Sequence, residues 1–169
     1  RSERSVLAEI RALRRMDGFR GTVSDIGGPT ANMYRMGCRS EAIESACRRL
    51  SCVHPHICEH LDTDHGPLLS LLREARSVDG VKHAFVASGI RYDLAQRSPE
   101  FVRELVRHHT GGQLSVAPEH VDEDVLDKMK KPTIDFYERF VGEFQRESKR
   151  AGREQHLVPR TRALGPGVA

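Results

Sequence analysis

Residues 21–29 read Gly-Thr-Val-Ser-Asp-Ile-Gly-Gly-Pro, and this stretch decides the fold class. Its β-branched centre lies between glycines, which predicts a short buried strand, and the Gly-Gly-Pro after it ends the strand sharply. Residues 2–16 before it place apolar side chains along one face, which predicts a helix. The fold class of the rest of the chain depends on whether this helix–strand pairing repeats.

The pairing does repeat along the chain. The same signals predict helices over residues 67–78, 99–108, 121–129 and 134–150, and strands over residues 83–87, 113–117 and 155–159. Alternating helices and strands form parallel sheets with helical crossovers, so the predicted class is α/β. An open doubly wound sheet and part of a closed barrel both fit this order, and periodicity does not separate them.

A long segment, residues 30–66, interrupts the alternation and carries all four cysteines. Apart from one short helix predicted over residues 41–49 it is irregular, and such segments are usually functional or held by something other than an apolar core. The thiols are Cys38, Cys47, Cys52 and Cys58. Four thiolates complete the ligand shell of zinc or of an iron–sulfur cluster, although this spacing matches no common zinc finger. We predict a metal here, with His54, His56 or His60 able to replace a thiol; unliganded reduced thiols are the alternative.

Composition bounds the partners. The 169 residues are 38% hydrophobic and 30% charged, and the net charge of +3 comes from interspersed acids and bases. This balance does not require a nucleic-acid partner and does not exclude one. No apolar run approaches the roughly 18 residues of a transmembrane helix, and no signal peptide opens the chain. We therefore expect a cytoplasmic protein without a membrane partner, in a compartment where disulfides are rare.

Three predicted strand ends carry small residues followed by polar groups, at residues 24–32, 88–93 and 117–120. In both candidate architectures ligands bind just beyond the carboxyl ends of the strands. Taken one at a time, these segments could simply make turns and cap helices. Their equivalent positions favour a shared binding site.

Residues 24–36, 87–94, 108–112 and 117–120, with Lys130-Lys131-Pro132, resemble the YgiQ-type (UPF0313) radical S-adenosylmethionine proteins. The likeness runs from residue 1 to about 159. It implies that residues 1–159 form a radical-SAM-type partial (β/α) barrel, with residues 30–66 as a cysteine-bearing insert. It also implies a 4Fe–4S cluster, S-adenosylmethionine cleaved to a 5′-deoxyadenosyl radical, and a reductant protein such as flavodoxin or ferredoxin. The substrate is not indicated.

The resemblance also implies site residues, although no catalytic residue is assigned. The expected cofactor-binding residues are Gly27, Gly28, Ser88, Arg91, Asp93 and Glu119. The family's CxxxCxxC, which holds the catalytic cluster, is absent from these 169 residues, so the chain is expected to be a fragment that is inactive alone. The four cysteines are then an auxiliary site. Residues 160–169 depart from the family and are expected to be irregular and disordered.

An alternative function is a metal-stabilised module that binds RNA or a partner protein. It is motivated by four basic residues beside the cysteines, Arg35, Arg39, Arg48 and Arg49. Binding that weakens with salt would favour this alternative.

Overall fold

The computed structural model describes residues 1–28 and 30–161. Its helices are α1 Glu3–Leu13, α2 Glu41–Ala46, α3 Gly66–Ser77, α4 Tyr92–Ala95, α5 Pro99–Glu104, α6 Glu123–Lys128 and α7 Ile134–Arg150. Its strands are β1 Thr22–Val23, β2 His83–Ala84, β3 Gln113–Glu119 and β4 His156–Thr161. A 3₁₀ turn spans Ala31–Met33, and a π-helical turn, Leu105–His109, continues α5. The predicted α/β class is confirmed.

All the strand pairs are parallel. β1 pairs with β2, and β3 pairs with β4. Between the two pairs, the Ser115 N–H donates to the Ala87 carbonyl at 2.8 Å, and Ile90 forms a parallel bridge with Val116. The strands therefore follow one another in chain order.

The core lies between the two strand pairs and the helices. α7 keeps the bounds predicted from its periodicity and buries Phe140 and Phe144 completely, with their ring centroids 6.2 Å apart. They share one cluster with apolar residues of α3, α5 and β3. On the other side, Leu7 and Ile10 of α1 pack against Leu71 and Ala75 of α3. No described helix is both long and apolar enough to cross a membrane.

β1 and β2 are shorter than predicted for a physical reason. The Asp25 carboxylate accepts hydrogen bonds from the Ala87 N–H at 2.9 Å and from the Ser88 hydroxyl at 3.1 Å. Side-chain bonds thus replace the backbone ladder where the two strands approach their carboxyl ends. The ladder resumes in part, since the Ile26 N–H donates to the Phe85 carbonyl at 2.6 Å.

Two further boundaries differ from the predictions. β4 continues to Thr161, so Arg160 and Thr161, which we expected to be irregular, belong to a strand, and Thr161 pairs with Glu119 of β3. The rest of the expected tail, residues 162–169, lies outside the described residues. α4 was not predicted, because four residues are too few to show a helical period. In the insert, α2 ends at Ala46 and has no buried residue.

Candidate functional site

The carboxyl ends of β1, β2 and β3 meet at one cavity of about 250 Å³, which we call the strand-end cavity. The loops after β1 and β2 contribute Gly28, Thr30, Ser88, Gly89 and Arg91, and β3 contributes Ser115 and Ala117. Lys131 and Arg160 add two cationic side chains to its lining. The expected convergence of glycine-rich and polar strand ends is therefore present.

The six residues expected to bind a cofactor do not all reach this cavity. Gly28, Ser88 and Arg91 line it, whereas Gly27 lines an adjoining cavity of about 390 Å³ that shares Gly28 and Thr30. Asp93 lines a third cavity, of about 490 Å³, against the insert. Glu119 reaches the strand-end cavity through an ion pair with Lys131, at 3.3 Å between Oε1 and Nζ.

Backbone contact between the loops after β1 and β2 requires glycine at position 89. Gly89 has φ of +77°, and a Cβ there would lie 1.8 Å from the Gly28 carbonyl oxygen. The Ala31 N–H donates to the Gly89 carbonyl at 2.7 Å. A side chain at position 89 would therefore force these loops apart.

Asn32 is a site residue that sequence reasoning missed. Its side chain is buried, its Nδ2 donates to the Arg91 carbonyl at 2.9 Å, and its Oδ1 accepts from the Arg91 N–H at 2.7 Å. The sequence signal was a polar residue three positions after Pro29 of the Gly-Gly-Pro stretch. The primary amide satisfies both backbone groups of Arg91 as a neighbouring strand would.

The Arg91 guanidinium is directed at two partners beside the cavity. Its Nε and Nη2 donate to Asp93 Oδ2 at 3.1 and 3.0 Å, and Nη2 also donates to the Val53 carbonyl of the insert at 3.0 Å. Tyr92 lies between Arg91 and Asp93 in the sequence, and its phenol is buried. Burial raises the pKa of Tyr92, and the nearby Asp93 carboxylate raises that pKa further. Tyr92 therefore stays protonated at physiological pH.

His65 packs behind the loop that contains Asn32. Its ring stacks on Phe101 with centroids 4.3 Å apart, and its Nε2 lies 3.4 Å from Asn32 Nδ2. Burial lowers the pKa of His65, although a backbone hydrogen bond at Thr63 and the charge of Asp64 oppose that shift. A neutral imidazole can accept the Asn32 N–H, which supports the orientation of the amide.

The four thiols differ in exposure and form no disulfide. Cys58 is buried, Cys38 is partly buried, and Cys47 and Cys52 are exposed. Across residues 1–28 and 30–161, no three His, Cys, Asp or Glu side chains form a group that could hold a metal ion. In this arrangement the thiols do not assemble a ligand shell, and the predicted metal stays a prediction.

Two of the histidines considered as replacement ligands lie close to carboxylates. His54 Nε2 is 3.3 Å from Asp127 Oδ1, and His60 Nε2 is 3.5 Å from Glu59 Oε1. One of the basic residues beside the cysteines, Arg49, donates within the insert to the Ser51 and His56 carbonyls. The Arg49 and His60 contacts lie within the insert, whereas His54 contacts Asp127 of α6. None of these contacts supports the RNA- or protein-binding alternative.

Comparison with known proteins identifies relatives at high identity. No protein-family model matches the chain, and no solved structure matches it. It is 55% identical over 169 residues to a UPF0313 protein of Pseudomonas aeruginosa, covering 99% of this chain and 23% of that protein. It is 51% identical over 169 residues to UPF0313 protein YgiQ of Salmonella typhimurium, covering 99% of this chain and 23% of YgiQ. The chain thus spans less than a quarter of the length of these curated relatives.

Proposed function

This chain is a UPF0313-type sequence, and we propose that it forms the cofactor-binding part of a radical S-adenosylmethionine, iron–sulfur enzyme. The observation that supports the proposal is the strand-end cavity, where three parallel strands end together. Ligands of α/β proteins bind at such strand ends. The resemblance at residues 24–36 and 87–94 covers two of the loops that line it.

The chemistry of the lining fits S-adenosylmethionine. Gly27 and Gly28 leave backbone groups accessible after β1, and Lys131 and Arg160 supply positive charge suited to a carboxylate. Ser88 adds its backbone at the same edge. The adjoining cavity of about 390 Å³ extends the available space past Gly28 and Thr30.

We assign roles to the chain's own residues on this basis. Gly27, Gly28 and Ser88 contact the cofactor, and Glu119 sets the position and charge of Lys131 through their ion pair. Arg91 and Asp93 shape the edge of the cavity. Asp25 holds the ends of β1 and β2 together, so that the site is preorganised before binding.

The chemistry that such a cofactor supplies is hydrogen abstraction by a 5′-deoxyadenosyl radical, for which flavodoxin or ferredoxin would provide the electron. The CxxxCxxC ligands of the catalytic 4Fe–4S cluster are not among these 169 residues. We therefore propose that activity requires a longer polypeptide and that this chain alone is inactive. The substrate is not assigned.

A matched pair of glycine substitutions in the full-length protein tests the proposal. A Cβ at Gly28 or at Gly112 meets nothing within 4 Å, but only Gly28 lines the strand-end cavity. Gly28→Val should weaken S-adenosylmethionine binding about tenfold by occupying the site, since overpacking costs about 1–3 kcal/mol. Gly112→Val should bind as the wild type does.

The measurements are calorimetric affinity for S-adenosylmethionine and 5′-deoxyadenosine formation by the anaerobically reconstituted protein with a reductant. Equal affinities in the two variants would reject the cavity as the site. A reconstituted wild type that forms no 5′-deoxyadenosine would reject the radical function.

A further inference from the structure

Arg91 connects the strand-end cavity with the middle of the cysteine insert (residues 30–66). It lines the cavity, and its guanidinium bonds to the Val53 carbonyl within the insert. We infer that Asn32, Arg91 and Asp93 are positioning residues that anchor the insert to the cavity wall. Through this anchor, ligand binding in the cavity and exposure of the Cys58 thiol are coupled. The coupling rests on the proposed function; the anchor does not.

The first step is the fixation of the Arg91 backbone. Asn32 is only 1% exposed and bonds to both the N–H and the carbonyl of Arg91. These two residues are 59 positions apart, so the amide joins the loop after β1 directly to the loop after β2. Losing it would leave backbone groups of Arg91 without their partners.

The second step is the reach of the Arg91 side chain. The Asp93 side chain is only 3% exposed and holds the guanidinium through Nε and Nη2. Nη2 remains able to donate to the Val53 carbonyl in the same orientation. A lysine ammonium has no such planar fork, so Lys could not hold Asp93 and Val53 with the same geometry.

The third step is the packing that the anchor protects. Cys58 and Leu61 of the insert form a small buried cluster with Leu94 of α4, the residue next to Asp93. Val53 and Ile57 pack against this cluster from the segment that Arg91 holds. The anchor and the cluster therefore share α4, and opening one would expose the other.

The alkylation rate of Cys58 in the full-length protein measures the anchor without any ligand. Arg91→Lys should raise this rate about tenfold, because losing one or two of the guanidinium hydrogen bonds favours local opening of the insert. Cys47 is already exposed and should react equally in every variant. Peptide mass spectrometry after timed iodoacetamide treatment resolves the two thiols.

The matched control is Arg97→Lys. Arg97 lies just past the end of α4, and within the described part of the chain its side chain makes no hydrogen bond or ion pair. It should leave Cys58 alkylation unchanged. Asn32→Ala should also raise the alkylation rate of Cys58. Asn32→Asp keeps the acceptor for the Arg91 N–H, so its alkylation rate should lie between those of Asn32→Ala and the wild type.

A second readout separates coupling from simple loosening. Saturating S-adenosylmethionine should slow Cys58 alkylation in the wild type and in Arg97→Lys but not in Arg91→Lys, because coupling between sites is reciprocal. If Cys58 in Arg91→Lys and in Asn32→Ala were alkylated at rates within twofold of the rate in Arg97→Lys, the anchor would be overturned. Unchanged ligand protection in Arg91→Lys would overturn the coupling. A wild type that binds no S-adenosylmethionine would reject the coupling together with the proposed function, while the rates without ligand still decide the anchor.

Discussion

The scaffold of helices and strands and the cysteine insert reach their folded states by different means. The scaffold buries a continuous apolar cluster in which Leu72, Leu114 and Phe140 are fully enclosed. The buried apolar residues of the insert, Cys58 and Leu61, belong to a small separate cluster, and its helix α2 buries nothing. Because the insert buries few apolar side chains, polar contacts from the scaffold, above all from Arg91, hold it in place. The insert should therefore open locally while the scaffold stays folded.

The largest expected effect comes from emptying the scaffold core. Leu72→Ala removes a fully buried side chain of α3 and should lower the free energy of unfolding by about 4 kcal/mol, because a large cavity remains. Urea denaturation followed by circular dichroism measures this. Leu50→Ala in the insert, where the residue is 94% exposed, is the control and should change stability by less than about 0.5 kcal/mol. If Leu72→Ala lowered the free energy of unfolding by less than Leu61→Ala in the insert does, the distinction between scaffold and insert would be contradicted.

The same substitution in the insert should cost less. Leu61→Ala should lower the free energy of unfolding by about 2 kcal/mol, near the bottom of the range for buried leucine, because its small cluster can collapse into the gap. Hydrogen exchange should accelerate in residues 37–62 and remain unchanged in α7. Equal acceleration in both regions would show that the insert and the scaffold unfold as one unit.

The smallest expected effect is the contribution of one buried scaffold histidine to the pH dependence of stability. Burial lowers the pKa of His109, the Ala84 carbonyl at 2.7 Å from Nδ1 opposes that shift, and nearby Arg76 lowers the pKa further. In the unfolded chain a histidine has a pKa of about 6.5, so the unfolded chain binds a proton at this position more readily than the folded protein does. Stability should be full above that pH and decline as pH falls toward the folded-state pKa.

Replacing His109 with a residue that does not titrate should flatten this decline. His109→Asn keeps an N–H at the position of Nδ1 for the Ala84 carbonyl, so urea midpoints should vary less between pH 8 and about 5.5, across the usual histidine range. His156→Asn is the matched control at a histidine whose side chain is 66% exposed, and it should keep the wild-type slope. An unchanged slope in His109→Asn would contradict the assignment.

Parts of the scaffold could be read from the sequence because their signals are local. α7 shows its apolar period over 17 residues, and its bounds agree with the prediction. β1 and β2 were overestimated, since nothing in the sequence says that the Asp25 carboxylate replaces backbone bonds to Ala87. α4 was missed because its four residues form less than two turns.

Sequence reasoning anticipated part of the lining of the strand-end cavity. Gly28, Ser88 and Arg91 do line one cavity, as equivalent strand ends should. The pairing of Arg91 with Asp93 and Val53 depends on side-chain rotamers and on where the insert lies, which no local pattern records.

The sequence by itself determined the order of helices and strands and the family. These follow from apolar periods, turn residues and motifs that extend over a few neighbouring positions. Only the tertiary structure decided which thiols are buried and that Asn32 holds Arg91, 59 residues away. Such contacts form when parallel strands bring their carboxyl ends together, so they depend on the packing of the whole sheet rather than on any one segment.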